Sequence, residues 1–376
     1  MQHPEEAYGR VLLVNSSLAL GGLERQLIQL ASNLPEGWRP VIWVVDGGPY
    51  EELCRELRLP LLIGRRRARF DVTPALRLWS VIRRGRPDVV HSWHWMTTAA
   101  ALPACRALGI PLIDGSIRRG DRPPEPLRPH RLLLRSANAV VANSHAGLKA
   151  FDVSPERGRV IYNGFDPGRL REVHPAGESD DRFSVAMCAR MDGDKDFDTF
   201  LDGALVALQS RPDGGSTRRW HFLLLGDGPD RDRLSRRARD EFPPGAVEVK
   251  SVGLEVMSHL SRSHVGVLMT NPRALAEGCS NAILEYMACG LPVVCTESGG
   301  NREVVLDGDT GLVIPPGDAH ALASSLAALW DDPVLCRRLG VAGRARLDSD
   351  FSLERMVREY VALYEETAGL VRRSAP

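Results

Sequence analysis

Short apolar runs alternate with amphipathic segments along almost the whole of this 376-residue chain. Val11–Val14 is too short for a helix; after a loop, Asn15 to Gly22, Leu23, Leu27, Leu30 and Leu34 recur at helical spacing. Further strands are expected at Val41–Val45, Leu61–Ile63, Asp88–His91, Pro111–Asp114, Ala139–Ala142 and Val160–Tyr162, with helices such as Pro74–Arg84 and Thr97–Leu108 between some of them. That order builds a doubly wound parallel α/β sheet. Residues 169–181 are polar, contain Pro and Gly, and read as a linker. A second series starts at Phe183–Cys188 and continues with strands at Trp220–Leu225, Val247–Lys250, Val265–Leu268, Pro292–Cys295 and Gly311–Ile314. Helices fall near Phe197–Leu208, Arg231–Arg239 and Asp318–Trp330, the last N-capped by Asp318. Beyond Trp330 only helix is expected, ending in Ser352–Leu370. Two such domains and a linker predict a cleft, with a half-site at the carboxyl end of each sheet.

Charge divides the chain where its total does not. Residues 1–178 hold 25 Lys and Arg against 18 Asp and Glu, or +7, and the remainder holds 23 against 30, or −7. The arginine run Arg65–Arg69 is the densest basic cluster and reads either as a solvated loop or as a contact to anionic lipid headgroups. A net charge of zero gives no reason to expect nucleic acid. The seven cysteines are widely spaced, with no CxxC, so a reduced, cytoplasmic protein is expected, with buried thiols at Cys188 and Cys295. The first residues show no basic stretch before an apolar core, so no signal peptide is expected, and no apolar run reaches the ~18 residues of a membrane span, so any membrane contact is expected to be peripheral, at the inner face.

The chemistry concentrates in Glu277–Val305, EGCSNAILEYMACGLPVVCTESGGNREVV. Glu277 and Glu285 have seven residues between them. Eight residues on a helix rise ~12 Å, too far for a glycosidase pair at ~5–9.5 Å. Two carboxylates so placed suit the hydroxyl pairs at the two ends of an elongated ligand. Phosphates would lie between them, near the backbone N–H groups of Cys279, Ser280, Asn281 and Ala282 at a helix start. Arg190 and Lys195, in the loop ARMDGDK after a strand, supply cations for a leaving diphosphate. Asp192-Gly193-Asp194 has the form of a metal-binding DxD but reads as a turn, so no metal or cofactor is expected. Gly21 and Gly22, between strand and helix, give a loop that backbone phosphate contacts could use or that serves packing alone. Gly299 and Gly300 are expected behind the two glutamates.

GGLER (Gly21–Arg25), VANS (Val141–Ser144), VIYNGFD (Val160–Asp166), ARMDGDKDFDTFLDGA (Ala189–Ala204), LLGDGPDRDRL (Leu224–Leu234) and EGCSNAILEYMACGLPVV stand in this order. With them the chain resembles the retaining family 4 glycosyltransferases of GT-B fold across nearly its whole length. The resemblance implies two Rossmann-like domains facing across a cleft: an acceptor-binding domain at 1–170, a nucleotide-sugar-binding domain at 171–350, and a final helix, 351–376, crossing back to the first. It implies that Glu277 holds sugar hydroxyls, Glu285 the ribose, Arg190 and Lys195 the diphosphate, and Gly278 to Asn281 the hexose. Gly22 would approach from the first domain, and Gly253, Leu254 and Val256 would face the base. Gly226 and Gly228 would shape the adjacent strand-end loop. Where many relatives have a histidine in a Thr-Val-His-like setting, this chain has Ser116-Ile117-Arg118, making Arg118 a candidate contact to phosphate or acceptor. His94, in HSWHW, is a second acceptor-side candidate or else a core or surface histidine.

The expected function is transfer of a hexose-type sugar from a nucleoside-diphosphate sugar to a hydroxyl of a glycan, glycolipid or small molecule, without a metal. A nucleotide-sugar epimerase of the same fold and an inactive nucleotide-binding module are the alternatives. A nicotinamide dehydrogenase is disfavoured because no G-x-G-x-x-G follows a strand.

Overall fold

The computed structural model describes residues 9–68, 71–121, 127–170, 181–210, 218–271 and 273–370. The chain divides into two compact units, one of Met1–Arg118, Arg122–Gly164 and Leu353–Pro376, the other of Arg119–Asp121 and Phe165–Ser352. Most of the expected linker, 171–180, and Arg69 of the arginine run lie outside the described residues.

In the first unit, strands β1 (Gly9–Asn15), β2 (Trp38–Val44), β3 (Leu61–Ile63), β4 (Val89–Ser92), β5 (Leu112–Ile117), β6 (Ala139–Ala142) and β7 (Gly158–Val160) form one sheet in the order β3-β2-β1-β4-β5-β6-β7. Every described pairing in it is parallel. Helices α1 (Gly22–Ser32), α2 (Glu51–Glu56), α3 (Thr73–Gly85), α4 (Trp95–Leu108), α5 (Leu127–Ser136) and α6 (His145–Ala150) connect the strands. Alternation along β1 decides the packing. Val11 and Leu13 enter one core with Leu27 and Leu30 of α1, and Leu12 and Val14 enter another with Leu78 and Ile82 of α3. β5 runs three residues beyond the Asp114 expected from sequence, which places Arg118 immediately at its end.

The second unit has β8 (Arg182–Cys188), β9 (Arg219–Leu225), β10 (Val247–Lys250), β11 (Val265–Leu268), β12 (Val293–Thr296) and β13 (Gly311–Ile314), ordered β10-β9-β8-β11-β12-β13 and again parallel. Around it lie α7 (Phe197–Ser210), α8 (Arg231–Glu241), α9 (Val256–Leu260), α10 (Asn281–Ala288), α11 (Asn301–Val304), α12 (Ala319–Asp331) and α13 (Pro333–Asp350). Asp318 caps α12 as expected, its Oδ1 accepting from Ala321 N at 2.8 Å. Cys295 is buried with its thiol pushed up to about 12, but Cys188, at the end of β8, is only half-buried.

The last helix, α14 (Leu353–Ala368), belongs to the first unit. Met356, Val357, Tyr360, Leu363 and Tyr364 join the core around β1 and α1. His91 of β4 is fully buried against them, with Nδ1 2.8 Å from Tyr364 Oη. Among the described residues no helix is long and apolar enough to cross a membrane.

Candidate functional site

In the second unit the site is assembled around Glu277, which lies four residues before α10. The ~12 Å helical rise therefore does not apply between Glu277 and Glu285, because the intervening chain is helical only from Asn281. The two carboxylates are kept apart by different partners instead. Glu277, 8 % exposed, pairs through Oε1 with Lys195 Nζ and accepts from Thr270 Oγ1 at 3.2 Å. Lys195 and Thr270 also meet as an isolated antiparallel bridge just past the end of β11. Glu285, 4 % exposed, accepts from Arg169 Nη1 at 2.8 Å. Arg169 stands on a 3-10 turn, Pro167–Leu170, in the stretch read from sequence as linker.

The backbone under Glu277 is held from two sides. Gly300 N donates to Glu277 O at 2.8 Å, and Gly120 N donates to Ala276 O at 2.9 Å. Gly299 adopts φ +51°, and a Cβ there would run into the Glu277 carbonyl, so the turn requires glycine both for its dihedral and for the close approach. Gly299 and Gly300 thus lie behind the loop that carries the carboxylate. Arg119 forms a bridge with Glu277, donates to Ala274 O at 3.1 Å and pairs with Asp121.

α10 starts at Ser280, whose side chain does not cap the helix. Gly278, Cys279 and Ser280 are buried, while Asn281 and Ala282 are half-exposed. Tyr286 fixes the register of this helix. Its hydroxyl donates to Val267 O at 3.0 Å and accepts from Cys188 N at 2.7 Å, and its ring fills the space that a side chain at Gly266 would need. Complete burial holds its phenol well above the usual value. The sequence reading took Glu285 and passed over its neighbour; a glycine inside β11 was the available signal for a close approach there.

Arg190 and Lys195 share a loop but not an environment. Lys195 is half-buried against Glu277, whereas the Arg190 side chain is 70 % exposed and pairs with Asp192 and, at 3.5 Å, with Asp194. Asp192-Gly193-Asp194 is a turn, with Asp194 N donating to Asp192 Oδ1 at 3.2 Å. Among the described residues no three His, Cys, Asp or Glu side chains gather as a metal site. Gly226 and Gly228 press on the backbone of Ala189 and Met191 so closely that a Cβ at either would collide with it, which steadies the loop bearing Arg190. Gly253 (φ +49°) and Leu254 open a 3-10 turn, with the Leu254 side chain outside the described residues; Val256 begins α9 and is buried.

In the first unit, Gly21 caps α1 in extended conformation and Gly22 is its first residue. The anion at this helix start is Glu24, which bonds its own backbone N–H and the Asn15 side chain, and whose carboxyl is raised by burial. His94 caps α4, its Nδ1 accepting from Met96 N at 3.2 Å. Burial, then the neighbouring His130, holds His94 below its usual value. Arg118 lies 4.3 Å above the Trp93 ring and donates to Gly115 O at 2.9 Å and Tyr360 Oη at 3.5 Å. Among the described residues no carboxylate pairs with it. Beside these, the sequence reading missed a buried polar chain at the end of β5. Ser116 Oγ donates to Asp114 Oδ1 at 2.5 Å and lies 2.9 Å from His130 Nε2. Since the carboxylate only accepts, His130 Nε2 is the donor to Ser116. These residues are spread over 114–130, and no spacing rule links them.

Two family descriptions match this chain: Glycosyltransferase Family 4 over residues 20–169 and Glycosyl transferases group 1 over residues 182–332. A D-inositol 3-phosphate glycosyltransferase of Frankia alni is 28 % identical over 339 residues, 80 % of this chain and 79 % of that protein. The lipopolysaccharide core biosynthesis glycosyltransferase LpsE of Rhizobium meliloti is 29 % identical over 296 residues, 77 % and 78 % of the two chains. Among solved structures, Anabaena HepE in complex with UDP-glucose superposes with a TM-score of 0.79 at 18 % identity, over 95 % of this chain and 100 % of that one. Sucrose-phosphate synthase of Thermosynechococcus elongatus gives 0.76 at 18 %, over 95 % and 98 %. At such identities these structures speak for the fold, two parallel-sheet α/β domains of the GT-B type.

Proposed function

The chain belongs to the group 1, family 4 glycosyltransferases, and from that premise we propose that it moves a hexose from a nucleoside-diphosphate sugar to an acceptor hydroxyl with retention of configuration, in polysaccharide or glycolipid synthesis. The pairing of Glu277 with Lys195 and of Glu285 with Arg169 carries this reading. Each pair fixes a carboxylate in a buried position, where it accepts hydrogen bonds from sugar hydroxyls at Glu277 and from ribose hydroxyls at Glu285. Solved structures of Anabaena HepE with UDP and with UDP-glucose make uridine diphosphate sugars the first donors to test.

In the reaction, the bond from the anomeric carbon to the diphosphate oxygen breaks and a bond to the acceptor oxygen forms on the same face. The acceptor proton passes to the leaving phosphate. Lys195 has three N–H donors, so it can keep Glu277 while giving another to a phosphate oxygen. Arg190, exposed and, among the described residues, held by aspartates of its own loop, supplies the second cation. Together they oppose the charge that grows on the diphosphate, so no metal is needed in this reading. His94 and Arg118 are assigned to the acceptor.

Thermal-shift measurements over a panel of nucleotide sugars test the donor. A true donor at about a hundredfold its Kd stabilises by ~2.7 kcal/mol. Turnover of that donor with an acceptor panel, in chelator, followed by NMR of the anomeric proton, tests transfer, retention and metal independence. Isomerised donor in the absence of any acceptor would replace the transferase by an epimerase.

A further inference from the structure

α3 presents a surface that nothing in the transfer chemistry uses. Its inward face is Pro74, Leu78 and Ile82, all buried against the sheet. Val72, Leu76, Trp79 and Arg83 follow at steps of four, three and four, so they share the opposite face. Val72 is 69 %, Leu76 66 % and Trp79 36 % exposed. A surface helix normally turns polar residues outward; single exposed apolar residues need no explanation, but a row of them at one helix face does.

The charge around that row is strongly positive. Between residues 58 and 86 there are nine arginines and one aspartate, in a chain whose formal net charge is zero. Arg66 is neutralised by Asp46 at 2.9 Å, and Arg77 bonds the Gly64 carbonyl. Arg65, Arg83, Arg84 and Arg86 are exposed, and among the described residues no carboxylate pairs with them. Arg67 N donates to Asp71, just before α3, and Arg77 of α3 bonds Gly64, so the loop of Arg65–Arg67 lies beside the helix start, while Arg83 and Arg84 lie in its last turn and Arg86 caps it.

We propose that the outward face of α3, with the arginines that bracket it, docks on an anionic membrane surface. Leu76 and Trp79 would enter the headgroup boundary, where tryptophan is favoured. The arginines would take lipid phosphates, their apolar stems lying along the surface. A second copy of the chain is the poorer occupant, because it would bring two like-charged surfaces together. Nucleic acid would satisfy the arginines but leave the apolar row in water. Sequence offered the arginine run as either solvated loop or lipid contact; the exposed row beside it is why the proposal takes the lipid.

Co-sedimentation of the full chain with phosphatidylcholine vesicles, and with vesicles containing about one-third phosphatidylglycerol, tests this. Binding is expected to the anionic vesicles only and to weaken as salt rises. Arg83→Glu/Arg84→Glu should lower affinity by about fivefold or more per arginine, and Leu76→Ser/Trp79→Ser should abolish binding, both variants melting like the wild type. The proposal is overturned if the wild type stays in the supernatant with anionic vesicles, binds neutral vesicles equally, or keeps its binding in the well-folded variants. Binding to heparin or an oligonucleotide without binding to vesicles, or a dimer lost in the Leu76/Trp79 variant without vesicle binding, overturns it as well.

Discussion

Arg169 Nη1 donates to Glu285 Oε1 at 2.8 Å across 116 residues of sequence, with side-chain exposures of 18 % and 5 %. A charge pair so far out of water is strongly interdependent: removing one member leaves the other buried without the opposite charge beside it. Arg169→Met is therefore expected to cost about 3–5 kcal/mol, and adding Glu285→Gln should restore part of it. Urea unfolding of the single and double variants measures the coupling. Strictly additive losses would show that the pair does not act as a unit.

Lys195 faces both Glu277 and, in the proposed reaction, the leaving diphosphate. Lys195→Ala should reduce turnover on the order of a hundredfold or more, the usual loss for a group that opposes transition-state charge. Thr270→Val removes the 3.2 Å hydrogen bond from a neutral hydroxyl to the Glu277 carboxylate and leaves the ammonium in place, a loss of about 1.5 kcal/mol or about tenfold. Comparable kcat/KM losses in the two variants would contradict a direct role for the ammonium.

Arg190 offers the opposite balance. Its exposed side chain and its partners within one loop predict a stability change within about 0.5 kcal/mol for Arg190→Ala, together with a clear loss of donor turnover. A melting-temperature drop as large as that of Arg169→Met would place Arg190 in the structure rather than the chemistry.

Tyr286→Phe keeps the packing but removes the hydroxyl between Val267 O and Cys188 N. The buried Val267 O and the half-buried Cys188 N then lose this hydrogen bond, at about 1–3 kcal/mol for the buried group. Destabilisation should appear in urea unfolding with an unchanged m-value. A neutral outcome would mean that α10 is held by packing alone.

His91 sets an acid limit on the first unit. Burial, then the nearby Arg118 guanidinium, holds its imidazole well below the ordinary value of 6.5. It packs on Trp93, Tyr360 and Tyr364, and its Nε2 has no hydrogen-bond partner among the described residues. The unfolded chain takes up a proton near pH ~6.5 that the folded chain refuses. Stability is thus complete above that pH and falls as pH drops below it. His94 and His130 of the same unit are depressed as well and steepen the loss, and His221 and His259 act in the same direction on the second unit. His91→Asn should flatten the stability–pH slope below pH ~6.5 by up to ~1.4 kcal/mol per pH unit, read from urea unfolding across pH. An unaltered slope would exclude His91 from the acid response.

The sequence determined both sheets, because strand and helix periods are local: the apolar alternation of β1, the Asp318 cap and the helical spacing of α14 are all legible within about twenty residues. It also placed Lys195 in a loop after a strand, Glu277 just before a helix and Glu285 on it, since their motifs are contiguous. Only the tertiary structure decided which cation meets which carboxylate. Lys195 is 82 residues from Glu277 and Arg169 is 116 from Glu285, and no periodicity relates loops that distant. Arg169 read as linker because its neighbours are polar; burial against α10 gave it a partner. The outward row on α3 was hidden for a related reason. Val72, Leu76 and Trp79 are apolar like the buried Leu78 and Ile82, and only the packed sheet shows which of these faces water.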